Sequence, residues 1–120
     1  MTDMHIFSDE NQRWEVRRDE GADAIVVTFR GRITEEDGRR SAAAFLAALG
    51  ASTADLIFDV RDVESHEGGA RKAWQERLLP RRKQLRRMVV ISKSRLARMA
   101  ATVFAMVLGM ECEAYEDWPS

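Results

Sequence analysis

The sequence predicts one α/β domain with a mixed, mostly parallel sheet, built in the order β-β-α-β-α-β-α-β. Apolar runs of strand length alternate with segments whose apolar residues recur every three or four positions, as in strands alternating with helices. The chain has 120 residues, which is the size of one domain, and 45% of them are hydrophobic, which is enough for one core. We predict a flexible N-terminal arm at residues 1–12, the domain at 13–116 and a tail at 117–120.

The first two strands of the domain are predicted to form an antiparallel hairpin. Trp14 and Val16 alternate with charged residues, which is typical of a half-buried strand. Residues 24–29 are rich in β-branched side chains and suit an interior strand. Residues 20–23 form the turn between them. A further short strand is expected at residues 5–7 of the arm.

The first helix has clear start and stop signals. Thr34 is a suitable N-cap, Asp37 completes a capping-box pattern, and acidic side chains at 35–37 favour the positive helix end. Gly50 is a natural stop. One apolar face follows from the spacing of Ala42, Phe45, Leu46 and Leu49.

The segment after this helix is predicted to be a buried strand, a loop and a second helix. Residues 56–60 form the strand, residues 61–69 form the loop, and the helix begins near Gly69. Pro80 lacks an N–H group and should kink or end that helix. The inner face of the helix is predicted to comprise Ala70, Ala73, Trp74 and Leu78. Leu85 lies seven residues after Leu78.

The C-terminal third is predicted to contain a strand, the last helix and a final short strand. The strands lie at residues 88–91 and 111–115, Ser94 caps the helix and Gly109 ends it. The helix is expected to bury Leu96, Met99, Ala100, Val103, Phe104, Val107 and Leu108. Its polar strip is expected at Arg95, Arg98, Thr102 and Ala105. An adaptable apolar surface is expected at Met99, Met106 and Met110.

Charge is distributed unevenly along the chain. Residues 71–98 contain eleven Lys or Arg side chains and one acid, whereas the whole chain has a net charge of −1. Such a segment can contact phosphates or anionic lipid, or it can pair with acidic groups of the same chain or of a second copy. The near-neutral total argues against a nucleic-acid domain. The predicted basic surface comprises Arg77, Arg81, Arg82, Lys83, Arg86 and Arg87.

Four segments resemble the SpoIIAA-like superfamily, which includes the STAS domains of anti-sigma-factor antagonists. They are residues 25–34, residues 56–62, the helix around Trp74 and residues 87–91. The resemblance implies a non-enzymatic regulatory module that binds a protein partner. Anti-sigma-factor antagonists have Asp-Ser-Ser-Gly with a phosphorylated serine where Glu67, Gly68, Gly69 and Ala70 stand here. The phospho-switch is therefore not implied, since glycine replaces that serine and Ser65 is out of register.

No catalytic or metal-ligating pattern is evident in the sequence. Asp62, Glu64, His66 and Glu67 form the one acidic cluster with a histidine, and a single local histidine does not favour a metal site. Ser65 next to His66 lacks the setting of a nucleophile with its base, because adjacent residues in an extended segment point apart. Two glycines at a helix start can also bind an anion, although a tight turn alone requires them.

The sequence thus predicts a cytoplasmic interaction module without a cofactor. A single cysteine, Cys112, suits a reducing compartment and is expected to be a buried core thiol, and the N-terminus lacks a signal-peptide pattern. An alternative is a module that binds lipid or an anionic membrane through the basic segment and the last helix. A homodimer is left open. The predicted partner or ligand site comprises Glu64, Ser65, His66, Glu67, Gly68, Gly69, Arg71 and Lys72.

Overall fold

Strands and helices alternate along the chain after an N-terminal set of three strands. The computed structural model describes residues 4–9, 11–19 and 21–119. The strands are β1 (Met4–Ser8), β2 (Trp14–Asp19), β3 (Ala24–Ile33), β4 (Ala54–His66), β5 (Leu85–Ile91) and β6 (Cys112–Tyr115). The helices are α1 (Glu35–Leu49), α2 (Gly68–Leu78) and α3 (Arg95–Val107), and a 3₁₀ segment covers Leu79–Gln84.

The six strands form one sheet whose spatial order follows the chain, from β1 to β6. The first three strands are antiparallel, and β3 to β6 are parallel. Leu56 of β4 pairs with Met88 of β5, which confirms that these strands are neighbours in the middle of the sheet. Each of the helices α1, α2 and α3 connects one parallel strand to the next, and the three connections proceed across the sheet in the same direction. Because such connections are usually right-handed, all three helices lie on one face of the sheet. The core accordingly joins Phe45, Trp74 and Phe104 of the helices to that face of the sheet.

Two boundaries differ from the sequence prediction. The predicted loop at 61–69 is wrong, because β4 continues to His66. Its polar second half pairs with the end of β3 after a register shift, with Ile33 opposite His66. Leu85 is also not on a helix, since α2 ends at Leu78 and Pro80 lies in the 3₁₀ segment, as the missing N–H of proline requires.

The start of α1 confirms the predicted capping box. Thr34 Oγ1 accepts a hydrogen bond from the Asp37 N–H at 3.1 Å, and the Asp37 carboxylate accepts from the Thr34 N–H at 2.9 Å. Arg13 donates to the same carboxylate at 3.0 Å, which ties β2 to the helix. Burial favours a raised pKa for Asp37, but the hydrogen bonds from Arg13 and Thr34 outweigh it and lower the pKa.

Helix α3 packs differently from the prediction. The predicted burial is wrong for five residues, which are all exposed: Leu96 (78% accessible), Met99, Ala100, Val103 and Val107. The buried residues are Phe104, Ala105 and Leu108, and Ala105 is therefore not part of a polar strip. Helical periodicity identifies the faces of a helix, but α3 is apolar on most sides, so the pattern does not indicate which side meets the sheet.

Much of the predicted basic surface contacts the chain itself. Arg81 donates to the Gly50 carbonyl after α1, and Arg82 donates to the Leu108 carbonyl after α3 at 2.6 Å. Asp55 of β4 accepts from both Arg86 and Arg87, at 3.1 and 3.0 Å. Arg77 and Lys83 make no hydrogen bond or ion pair with the described part of the chain.

Part of the predicted tail lies against the sheet. Trp118 donates from Nε1 to the Asp59 carboxylate at 3.2 Å, and Asp117 accepts from Arg61 at 2.7 Å. Burial favours a raised pKa for Asp59, but the hydrogen bonds from Arg61 and Trp118 outweigh it and lower the pKa. No helix in the described ranges combines the length and apolarity needed to cross a bilayer.

Candidate binding cavity

A cavity of about 490 Å³ opens between α3, the start of α2 and the parallel part of the sheet. Its walls are mainly apolar, because β3, β4, β5 and all residues facing it from α3 contribute carbon-rich side chains. The apolar lining comprises Phe29, Ile33, Phe58, Val60, Val63, Ala70, Trp74, Met88, Val90, Ala97, Ala100, Ala101 and Phe104. Such a volume and lining are typical of a site for a small molecule.

A cluster of aromatic rings forms the wall opposite α3. The rings of Trp74 and Phe58 meet edge to face with centroids 5.0 Å apart, and Phe29 stacks on Phe58 at 6.2 Å. Trp74 also contacts Phe45 of α1 and donates from Nε1 to Ser41 Oγ at 3.0 Å. These contacts fix the indole on several sides, so this wall is rigid.

The cavity exists because α3 presents small side chains to it. Ala97, Ala100 and Ala101 line the space. The bulky residues of the same helix, such as Leu96 and Met106, point to solvent and are 78% and 70% exposed. The C-terminal half of α3 reaches the core through Phe104 and Ala105, and Leu108 does so just after the helix. The N-terminal half therefore covers the sheet without filling the space beneath it.

Polar residues surround the cavity mouth at the carboxyl edge of β4 and β5. They are Arg61, Glu64, Ser65, His66, Arg71, Ser92, Lys93 and Ser94. Four of the eight predicted site residues, Glu64, Ser65, His66 and Arg71, are thus brought together here. Sequence reasoning missed Ser92, Lys93 and Ser94 as well as the apolar walls. The alanines facing the cavity from α3 are the signal that could have indicated them.

The other predicted site residues do not line the cavity. Glu67 instead accepts a hydrogen bond from the Glu35 N–H at 2.6 Å, so its carboxylate caps the start of α1. Gly68 and Gly69 begin α2, and Lys72 is exposed on it. Within the described ranges, no three His, Cys, Asp or Glu side chains lie close enough together to hold a metal ion. Cys112 is only half-buried, not fully as expected, and burial raises its pKa.

A family model described as SpoIIAA-like matches residues 24–118. The chain belongs to the SpoIIAA-like family. A crystal structure of an uncharacterized DUF3478-family protein with a SpoIIAA-like fold, from Shewanella loihica PV-4, superposes with a TM-score of 0.70. The two sequences are 17% identical, over 98% of this chain and 89% of that one. No curated protein matches the sequence. The predicted resemblance and fold class are therefore confirmed.

In this SpoIIAA-like chain, Gly69 at the start of α2 lies against the side chain of Glu35. A Cβ atom built on Gly69 would lie 2.0 Å from a carboxylate oxygen of Glu35, at the first turn of α1. A larger residue at 69 would therefore require the Glu35 side chain to move. The corner between β4 and α2 is closed by α1 on this side and opens on the other side into the cavity.

Proposed function

We propose that this SpoIIAA-like protein is a non-enzymatic regulatory module that binds a small amphiphilic molecule, with its apolar part in the cavity beneath α3. The single observation that carries the proposal is the cavity of about 490 Å³. Protein sites for small molecules commonly span about 300–1,000 Å³, with mostly apolar walls and a few polar groups at one end. Transfer of an apolar chain from water to these walls supplies the binding energy.

The groups at the mouth support binding rather than catalysis. Ser65 and His66 are exposed neighbours on β4, and neither side chain forms a hydrogen bond with another described residue. A nucleophile requires a base within hydrogen-bond reach, and that base requires a third group to orient it. The arrangement at the mouth provides neither, which favours a module without chemistry of its own.

The same location suits the regulatory role that the family resemblance implies. A protein partner that docks on residues 64–69 would contact the mouth of the cavity, so a bound ligand would alter the surface that the partner meets. Gly69 lacks the hydroxyl group that phosphorylation requires. In this proposal a ligand replaces phosphate as the signal, and the protein partner remains a prediction.

Filling the cavity should weaken ligand binding. Ala101→Phe places an aromatic ring in the space, and we expect the affinity for decanol to fall about tenfold or more, equivalent to about 1.4 kcal/mol. Ala47→Phe, at an exposed site on α1, is the matched control and should bind as the wild type does. Isothermal titration calorimetry measures both. Failure of the wild-type protein to bind decanol, or undiminished binding by Ala101→Phe, would contradict the proposal.

A second candidate function is attachment to an anionic membrane through α3. The outer stripe of this helix is exposed and comprises Leu96, Met99, Val103, Met106 and Val107. Arg95 and Lys93 lie beside its first turn and are exposed too. An apolar stripe next to cations is typical of helices that lie in the membrane interface.

Flotation with anionic vesicles tests this candidate. We expect the wild-type protein to float with the vesicles at low salt and Val103→Glu to remain in solution, because a carboxylate would have to enter the apolar interface. Ala47→Glu adds the same charge on α1 and should float as the wild type does. No flotation of the wild-type protein, even with anionic lipid at low salt, would exclude membrane attachment.

A further inference from the structure

We infer that the cavity selects amphiphiles whose chain ends in an anionic group, a carboxylate or a phosphate monoester, which is held at the mouth. The inference rests on the proposed function and names the class of ligand. It follows from three features of the mouth: cations without a partner, a helix start without acidic residues, and a buried hydroxyl group.

Two cations line the mouth without a partner. Arg71 of α2 and Lys93 after β5 are exposed and make no hydrogen bond or ion pair with any residue in the described part of the chain. Arg61 differs, because Asp59 and Asp117 both pair with it. The acidic residue among those that line the cavity is Glu64. The uncompensated charge of the lining is therefore positive.

The start of α3 adds to this positive potential. This helix begins at the carboxyl edge of the parallel strands, where the cavity opens, with Ser94 as its N-cap and no acidic residue in its first turn. Helix α1 shows the contrast, since its first turn carries three acids and Glu67 caps it as well. Arg71 and Arg95 stand near the positive ends of their own helices, which is an unfavourable placement that a bound anion relieves.

Ser92 supplies a hydrogen-bond donor inside the cavity. It is 3% exposed and lies among the lining residues. Its Oγ accepts from the Ser94 N–H at 3.1 Å, whereas its own hydroxyl hydrogen has no acceptor among the described residues. The hydroxyl group is therefore free to donate, and an oxyanion at the mouth is a suitable acceptor.

A series of ligands with the same chain length separates the contribution of the head group to the affinity from that of the chain. Titration calorimetry with decanoate, decyl phosphate, decanol and decyltrimethylammonium compares the affinities of the wild-type protein. We expect both anions to bind about tenfold more tightly than decanol, and the cation to bind more weakly than decanol. Higher salt should weaken the binding of the anions and leave decanol binding unchanged.

Two pairs of variants locate the head group. Lys93→Ala and Arg71→Ala should each reduce the affinity for decanoate about threefold to tenfold and leave that for decanol unchanged. Lys83→Ala and Arg77→Ala remove the same charges outside the cavity lining and should bind decanoate as the wild type does. These side chains are exposed, so we expect each variant to fold as the wild type does. A thermal melt of each variant checks this.

Each outcome has one meaning. The head-group inference is overturned if decanol binds as tightly as the anions. It is also overturned if the control variants lose as much affinity for decanoate as Lys93→Ala and Arg71→Ala do. In both cases the proposed function stands. Absence of binding to every ligand in the series removes the proposed function itself. Inorganic phosphate that binds as tightly as decyl phosphate also overturns the inference, because the site would then bind the free anion and not an amphiphile.

Discussion

Trp74→Ala is expected to destabilise the fold by about 3–5 kcal/mol, the usual cost of removing a buried indole. Trp74 is 3% exposed and connects α2 to α1 and to the sheet. Its ring contacts Phe29, Phe45 and Phe58, and its N–H group donates to the buried Ser41 hydroxyl. Alanine removes all of these contacts and enlarges a cavity that already exists.

Urea denaturation followed by circular dichroism measures this loss. Trp118→Ala is the control, since Trp118 is 39% exposed and makes one hydrogen bond to Asp59 through its ring. We expect the control to lose no more than about 1–2 kcal/mol, the usual contribution of a hydrogen bond to a charged group. Equal losses in the two variants would mean that Trp74 does not organise the core.

Gly38→Ala is expected to destabilise the fold by about 1–3 kcal/mol, the cost of overpacking a tight contact. A Cβ atom at this position would lie 2.5 Å from the Ala70 Cα and 2.8 Å from its carbonyl oxygen. These are backbone atoms, so α1 and α2 must move apart to admit the methyl group. The clash must outweigh a gain in helix propensity of about 1 kcal/mol.

Gly68→Ala is the matched control for this substitution. Its Cβ atom would meet nothing within 4 Å, and we expect the stability to change by no more than about 0.5 kcal/mol, as at other open surface sites. Chemical denaturation of both variants gives the comparison. If Gly38→Ala is as stable as the wild type, the crossing of α1 and α2 is not set by this contact.

The central strands and the start of α1 could be predicted because their signals are local. Residues 56–58 form a continuous apolar run, and Thr34 with Asp37 is a capping box that needs no distant partner. The second half of β4 could not be predicted in this way. Its residues are mostly polar, and they are in a strand because the end of β3 provides backbone partners such as Ile33.

The cavity could be predicted only in part. The sequence indicated Glu64, Ser65, His66 and Arg71 because they follow a buried strand or begin a helix. The space itself depends on the distance between α3 and the sheet, which no local pattern specifies. Leu96 and Ala97 are neighbours in an apolar helix, yet one is exposed and the other lines the cavity. The packing of Phe104, Ala105 and Leu108 against the core accompanies that rotation.

Two adjacent arginines of the 3₁₀ segment bind the chain at the ends of two different helices. Arg81 holds the chain just after α1, and Arg82 holds the chain just after α3, so both negative helix ends are neutralised from one short segment. Unravelling of Leu79–Gln84 would therefore release both helices together. The carboxyl ends of α1 and α3 are thereby coupled through one segment, although 45 residues of chain separate the two helices.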